Sequence, residues 1–106
     1  MKRIFSGIQP TGEIHLGNYV GAIRNWVELT KDYDCIFCVV DYHAITVEYP
    51  IEELKKRTIE TALILIASGL TPDKCKVFVQ SHVPEHTELA WIFNCVTPIG
   101  ELERMT

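Results

Sequence analysis

The composition of this chain limits what it can be before any motif is considered. It has 106 residues, of which 47% are hydrophobic, so it is long enough for one small domain with a packed core. Its net charge of −4 argues against a large surface for coating nucleic acid. The sequence also lacks an apolar run of the roughly 20 residues that a membrane helix needs, and its first residues do not resemble a signal peptide.

The first 21 residues predict a strand, a glycine-rich turn and the first turns of a helix. The apolar residues 4–5 predict a buried strand, and four of the six glycines follow, at positions 7, 12, 17 and 21. Gly17 and Gly21 fall inside the predicted helix, where each costs on the order of 1 kcal/mol relative to alanine. Backbone N–H groups and the helix dipole favour a phosphate or nucleotide at such a helix start. This corner is therefore the expected ligand site.

The first helix and the second strand show clear hydrophobic patterns. Apolar residues recur with helical spacing over residues 16–30 and include Trp26. Residues 35–40 are apolar throughout, which predicts a central parallel strand covered on both faces. Asp41 and His43 follow at its carboxyl end, where open α/β sheets bind ligands.

Two further helices flank a third strand. Pro50 starts a helix whose end, residues 62–67, is apolar on every side and is expected to be deeply buried. Residues 75–81 predict the third strand, and Pro84 begins a helix with an apolar stripe. The order β-α-β-α-β-α predicts a three-layer, Rossmann-like α/β fold with a parallel sheet. Because three strands are half of a usual six-stranded sheet, we expect residues 1–106 to be the N-terminal half of a longer domain.

The four cysteines do not predict a metal or redox site. Cys35 and Cys38 have the spacing of such a pair, but positions i and i+3 of a strand point to opposite faces. Cys75 and Cys95 do not form a second close pair that would complete a zinc set. We expect buried thiols in a reducing cytoplasm and no metal held by the protein.

The glycine-rich turn excludes two familiar phosphate loops. Residues 7–12 have the glycine spacing of a P-loop, but Glu13 and Ile14 follow where lysine and serine or threonine are required. The dinucleotide fingerprint Gly-x-Gly-x-x-Gly does not occur. What remains is Pro-Thr-Gly at residues 10–12 and His-Leu-Gly-Asn at residues 15–18, whose first and last side chains can reach one ligand.

These residues resemble the HIGH signature of class I aminoacyl-tRNA synthetases, with leucine and asparagine in place of isoleucine and the last histidine. Further segments are similar to the tryptophanyl-tRNA synthetase family, namely residues 4–12, 17–22, 41–46, 80–86 and 100–106. The tyrosyl enzymes share the Asp-x-His-Ala element at residues 41–44, whereas Ile-Gln-Pro-Thr-Gly at residues 8–12 favours the tryptophanyl family.

The resemblance implies a HUP-type Rossmann-like fold and a reaction in which L-tryptophan is activated by ATP and transferred to tRNA(Trp). It implies a cytoplasmic homodimer, with Mg²⁺ carried on the ATP phosphates. The implied ATP contacts are Gln9, Pro10, Thr11, Gly17 and Asn18. The implied catalytic residues at the phosphates are His15 and Asn18. The implied lining of the indole pocket is Phe5, Gly7, Val40 and His43.

The KMSKS signature of this family does not occur in these 106 residues. Because its lysines hold the pyrophosphate end of ATP, the resemblance implies that the chain has little or no activity alone. Two alternatives remain open. The chain could be part of a tyrosyl-tRNA synthetase, or a folding and dimerisation module that binds no ligand and pairs through the apolar helix at residues 89–96.

Overall fold

A parallel sheet of three strands forms the centre of the protein. The computed structural model describes residues 1–10, 17, 19–48 and 50–105. The strands are β1 (Arg3–Ile8), β2 (Asp34–Val39) and β3 (Cys75–Val79), in the spatial order 1-2-3. β2 pairs in parallel with both neighbours, which confirms the predicted central strand and the parallel sheet.

Helices connect the strands and follow the last one. They are a π-helical turn (Tyr19–Ile23), α1 (Arg24–Leu29), α2 (Asp41–Ala44), α3 (Ile51–Ala67), a 3₁₀ turn (Gln80–His82), α4 (Glu85–Val96) and α5 (Ile99–Glu103). The four-residue α2 has no counterpart in the sequence prediction, because a single turn is too short to show a hydrophobic period. No helix in the described part of the chain is long and apolar enough to cross a membrane.

The core lies on one face of the sheet. Phe37 of β2 stacks on Trp26 of α1, with ring centroids 4.5 Å apart and an interplanar angle of 12°. Leu65 of α3 is fully buried in the same cluster, so α1 and α3 cover the same face. When two successive strand–helix–strand connections are both right-handed and run in the same direction across a sheet, their helices lie on the same face.

A Schellman motif ends α3 at the glycine that the sequence predicted as its cap. Gly69 has a φ of +108°, a left-handed conformation that side-chain-bearing residues rarely adopt. Its N–H donates to the carbonyl of Ile66 at 3.0 Å, and the N–H of Leu70 donates to the carbonyl of Leu65 at 3.2 Å. Leu70 is fully buried, so the cap also turns the chain back into the core.

The predictions of burial for α3 and β1 are wrong in part. In residues 62–67, Leu65 is fully buried but Leu63 is 60% exposed and Ile66 is 43% exposed, because only one side of α3 meets the sheet. In β1, half-buried residues alternate with exposed ones, and Phe5 is 60% exposed. Phe5 lies on the sheet face opposite the core, since Ile4 and not Phe5 packs against the core cluster.

Candidate functional site

The carboxyl ends of the three strands meet at one edge of the sheet, the region where ligands bind in open α/β folds. The N–H of Val40 donates to the carbonyl of Ile8 at 2.9 Å, so the β1–β2 ladder continues one residue past the end of β2. Residues 9–10, 40–43 and 80–82 leave the three strands at this edge. We refer to these segments as the strand-end site.

Gly7 and Val40, two of the predicted indole-pocket residues, lie in close contact. A Cβ atom built on Gly7 would be only 2.9 Å from Cγ1 of Val40 and 3.4 Å from the carbonyl oxygen of Cys38. Ordinary carbon–carbon contacts are 3.5–4.0 Å long. Any side chain at position 7 would therefore displace Val40.

The other two predicted indole-pocket residues are accessible. Phe5 shares the sheet face of Gly7, because the two lie two positions apart on β1. Its ring centroid is 6.3 Å from that of Phe78, whose ring in turn meets His86 edge-on at 5.7 Å. His43 is exposed on α2, three residues beyond Val40. Beside the strand-end site, β1 thus offers the accessible aromatic ring of Phe5 next to Gly7, a position without a side chain.

The predicted ATP contacts are only partly described. Gln9 and Gly17 are exposed, whereas Pro10 is fully buried. Gly17 is therefore accessible, as a glycine must be if a nucleotide is to contact its backbone. Thr11, His15 and Asn18 lie outside the described residues.

Asp41 joins two of the strand ends, a role that the sequence did not reveal. Its Oδ1 accepts hydrogen bonds from the N–H of Tyr42 at 3.1 Å and from the N–H of Ser81 at 3.0 Å. The first bond is local and the second spans 40 residues. Asp41 therefore links the first turn of α2, after β2, to the 3₁₀ turn after β3.

Gln80 carries a buried acceptor at the same edge. Its Oε1 atom has no hydrogen-bond partner among the described residues. Leaving such a group unsatisfied costs about 1–3 kcal/mol. Gln80 was not among the predicted site residues, because it falls inside the strand predicted over residues 75–81, whereas β3 ends at Val79.

The surroundings of the buried cysteines make their thiol groups unreactive. Burial first, and the Asp41 carboxylate second, raise the pKa of the Cys38 thiol to about 11. Burial is also the main cause that raises the pKa values of Cys35 and Cys75. All three are buried and without a disulfide, whereas Cys95 on α4 is exposed, so the prediction of buried cysteines is wrong for Cys95. Within the described ranges, no three His, Cys, Asp or Glu side chains are placed to hold a metal ion.

A cleft of about 460 Å³ lies between α3 and the end of β3. Its lining includes Asp41, Ser81 and His82 from the strand-end site, and apolar side chains of α3 such as Leu54 and Ile59. None of the predicted ATP and indole contacts that the structure describes lines this cleft. The cleft is thus separate from the contact between Gly7 and Val40.

Comparisons with known proteins agree on one family. The family model described as tRNA synthetases class I (W and Y) matches residues 1–106. The chain is 58% identical over 105 residues to the tryptophan–tRNA ligase of Clostridium tetani, covering 99% of the chain and 31% of that protein. It is 60% identical over 106 residues to the tryptophan–tRNA ligase of Caldanaerobacter subterraneus subsp. tengcongensis, covering 100% of the chain and 32% of that protein. The chain thus spans about a third of the length of these relatives.

A solved structure shows the same arrangement. The tryptophanyl-tRNA synthetase of Campylobacter jejuni, complexed with ADP and tryptophan, superposes with a TM-score of 0.90 at 37% identity. The match covers 96% of this chain and 32% of that protein. The Rossmann-like fold predicted from the sequence is therefore confirmed.

Proposed function

Because the chain belongs to the family of class I tRNA synthetases for tryptophan and tyrosine, we propose that residues 1–106 are the N-terminal half of the catalytic domain of a tryptophan–tRNA ligase. The full-length protein activates L-tryptophan with ATP and transfers it to tRNA(Trp). The observation that carries this proposal is the likeness over 96% of the chain to a synthetase whose structure contains ADP and tryptophan. Identities of 58% and 60% to tryptophan–tRNA ligases favour tryptophan over tyrosine.

The proposed tryptophan pocket consists of Phe5, Gly7, Val40 and His43. An indole ring is flat and apolar, and it stacks well on aromatic side chains such as the exposed ring of Phe5. The 2.9 Å approach between Val40 and a Cβ built on Gly7 supports a requirement for glycine, because a residue without a side chain lets Val40 keep its position in the pocket. His43 provides a second flat face from the accessible surface of α2.

The proposed ATP contacts are Gln9, Pro10, Thr11, Gly17 and Asn18. In the activation step, a carboxylate oxygen of tryptophan attacks the α-phosphorus of ATP, and the bond to pyrophosphate breaks. His15 and Asn18 stabilise the charge that develops on the phosphate oxygens, because catalysis of this kind depends on positioning and electrostatics. Mg²⁺ arrives with ATP and is held mainly through the phosphates.

The exposed apolar surface of α4 supports a homodimer. Leu89, Trp91 and Phe93 are 51%, 69% and 55% exposed, although they are large apolar side chains. Contiguous apolar surface of this kind marks contact with another part of the chain or with a partner. We propose that the segment from Pro84 onward lies toward the subunit interface of a cytoplasmic homodimer.

Ligand titration of the full-length protein tests this function. We expect tryptophan to raise the melting temperature in a thermal-shift assay, ATP to do so as well, and tyrosine to have no effect at the same concentration. A shift with tyrosine but not tryptophan would identify the tyrosyl activity. A stable oligomer that responds to none of the three ligands would instead support the dimerisation module.

The 106-residue chain alone provides a second test. Without the KMSKS lysines it lacks the groups that hold pyrophosphate in this family, so we expect it to give no tryptophan-dependent exchange of pyrophosphate into ATP. Exchange by the isolated chain would contradict this part of the proposal.

A further inference from the structure

We propose that Asp41 is a positioning residue for the tryptophan pocket: it fixes the corner between β2 and α2 against the turn that follows β3. This inference rests on the proposed function, because the pocket it concerns is the proposed site for tryptophan. It adds a residue that is not among the proposed ligand contacts and acts through its neighbours.

The hydrogen bonds of Asp41 determine which segments it holds. One carboxylate oxygen accepts from the N–H of Tyr42 at 3.1 Å and from the N–H of Ser81 at 3.0 Å. Hydrogen bonds to a charged acceptor are among the stronger ones in proteins. Beyond the Val39–Val79 pair, where the β2–β3 ladder ends, the side chain of Asp41 continues the connection between the two strands.

The residues beside Asp41 are those of the proposed pocket. Val40 precedes it and lies against the position of the missing Gly7 side chain. His43 follows it by two residues on α2, a helix of only four residues that cannot be rigid by itself. Because the N–H of Val40 is itself bonded to the carbonyl of Ile8 on β1, a movement of this corner would pivot at Val40 and shift His43 relative to β1, where Phe5 and Gly7 lie.

A second aspartate, at the other end of β2, also links strands through its side chain and serves as a comparison for Asp41. Asp34 accepts from Nε of Arg3 at 2.7 Å and from Nζ of Lys76 at 3.3 Å, so it joins all three strands at their amino ends. Asp34 and Asp41 thus each bond two other residues around β2, at opposite ends of the strand. Only Asp41 is next to the proposed pocket, which makes Asp34 the matched control.

The test compares Asp41→Ala, Asp41→Asn and Asp34→Ala in the full-length protein by tryptophan-dependent exchange of pyrophosphate into ATP. For Asp41→Ala we expect KM for tryptophan to rise by about ten- to a hundredfold, since small displacements of positioning groups have effects of this size. KM for ATP should change less than threefold. Asp41→Asn keeps an oxygen that can accept both hydrogen bonds, so it should restore KM for tryptophan to within about threefold.

The control separates positioning from stability. Asp34→Ala should lower the melting temperature and leave KM for tryptophan unchanged. An unchanged KM for tryptophan in Asp41→Ala, or equal rises in both KM values, would overturn this inference while leaving the proposed function intact. Absence of tryptophan-dependent exchange in the unmodified protein would instead overturn the proposed function.

Discussion

Substitution of Gly7 by alanine tests the packing at the strand-end site. The added Cβ would lie 2.9 Å from Cγ1 of Val40, which is at least 0.5 Å shorter than an ordinary contact. Val40 cannot rotate away at low cost, because β-branched side chains are stiff at χ1. Overpacking of this kind costs about 1–3 kcal/mol, so we expect Gly7→Ala to lower the free energy of unfolding by that amount.

A double-mutant cycle identifies the source of this cost. In Val40→Ala, the atom that meets the new Cβ is gone, so Gly7→Ala in that background should be neutral or stabilising by up to about 1 kcal/mol, as expected for glycine in a strand. The free energy of unfolding is measured by urea denaturation with tryptophan fluorescence. Gly100→Ala in α5 is the control, because a Cβ there meets nothing within 4 Å and alanine favours a helix. An equal cost of Gly7→Ala in both backgrounds would refute the assigned contact.

The remaining predictions concern a cap, a carboxylate and two thiols. Gly69→Ala should lower the free energy of unfolding by about 1–2 kcal/mol in the same assay, because its φ of +108° strains any other residue; an unchanged midpoint would contradict the Schellman cap. The pKa of Asp34 is lowered mainly by its hydrogen bond from the Arg3 guanidinium and next by its hydrogen bond from the Lys76 ammonium. Since the folded pKa lies below the unfolded one, this stabilisation is complete above about pH 4 and is lost as pH falls through the folded pKa. Unfolding midpoints between pH 7 and pH 2 should therefore decline less in Asp34→Asn than in the unmodified protein, and identical declines would refute the pairing. Iodoacetamide at pH 8 should modify the exposed Cys95 and leave the buried Cys38, whose pKa is about 11, unmodified in peptide mass spectra; rapid labelling of Cys38 would contradict its burial.

Local signals were sufficient to predict the three strands and the longer helices, but not the single turn of α2. The unbroken apolar run at residues 35–40 predicted the central strand, because parallel strands in the middle of a sheet carry apolar residues on both faces. Gly69 predicted the end of α3, because a left-handed residue is a local requirement of the helix end.

Burial could not be predicted in the same way, since it depends on which faces meet. Leu63 and Leu65 are the same residue type two positions apart on α3, yet the first is 60% exposed and the second is fully buried. The exposed ring of Phe5 on β1 has the same cause, because α1 and α3 both cover the opposite face.

The candidate site was likewise predictable only in part. The resemblance to the synthetases brought Gly7 and Val40 into one predicted pocket, and the structure places them in contact. The hydrogen bond between Asp41 and Ser81 spans 40 residues, so no local pattern could have revealed it. The buried acceptor of Gln80 became apparent only once its surroundings were known.

The incorporation of radioactive pyrophosphate into ATP by the full-length protein tests the central claim most directly. With tryptophan present, we predict steady formation of labelled ATP, and with equimolar tyrosine, or with no amino acid, only the background rate. Labelled ATP that forms with tyrosine alone, or at the same rate with and without tryptophan, would contradict the assignment of this chain to a tryptophan-activating enzyme.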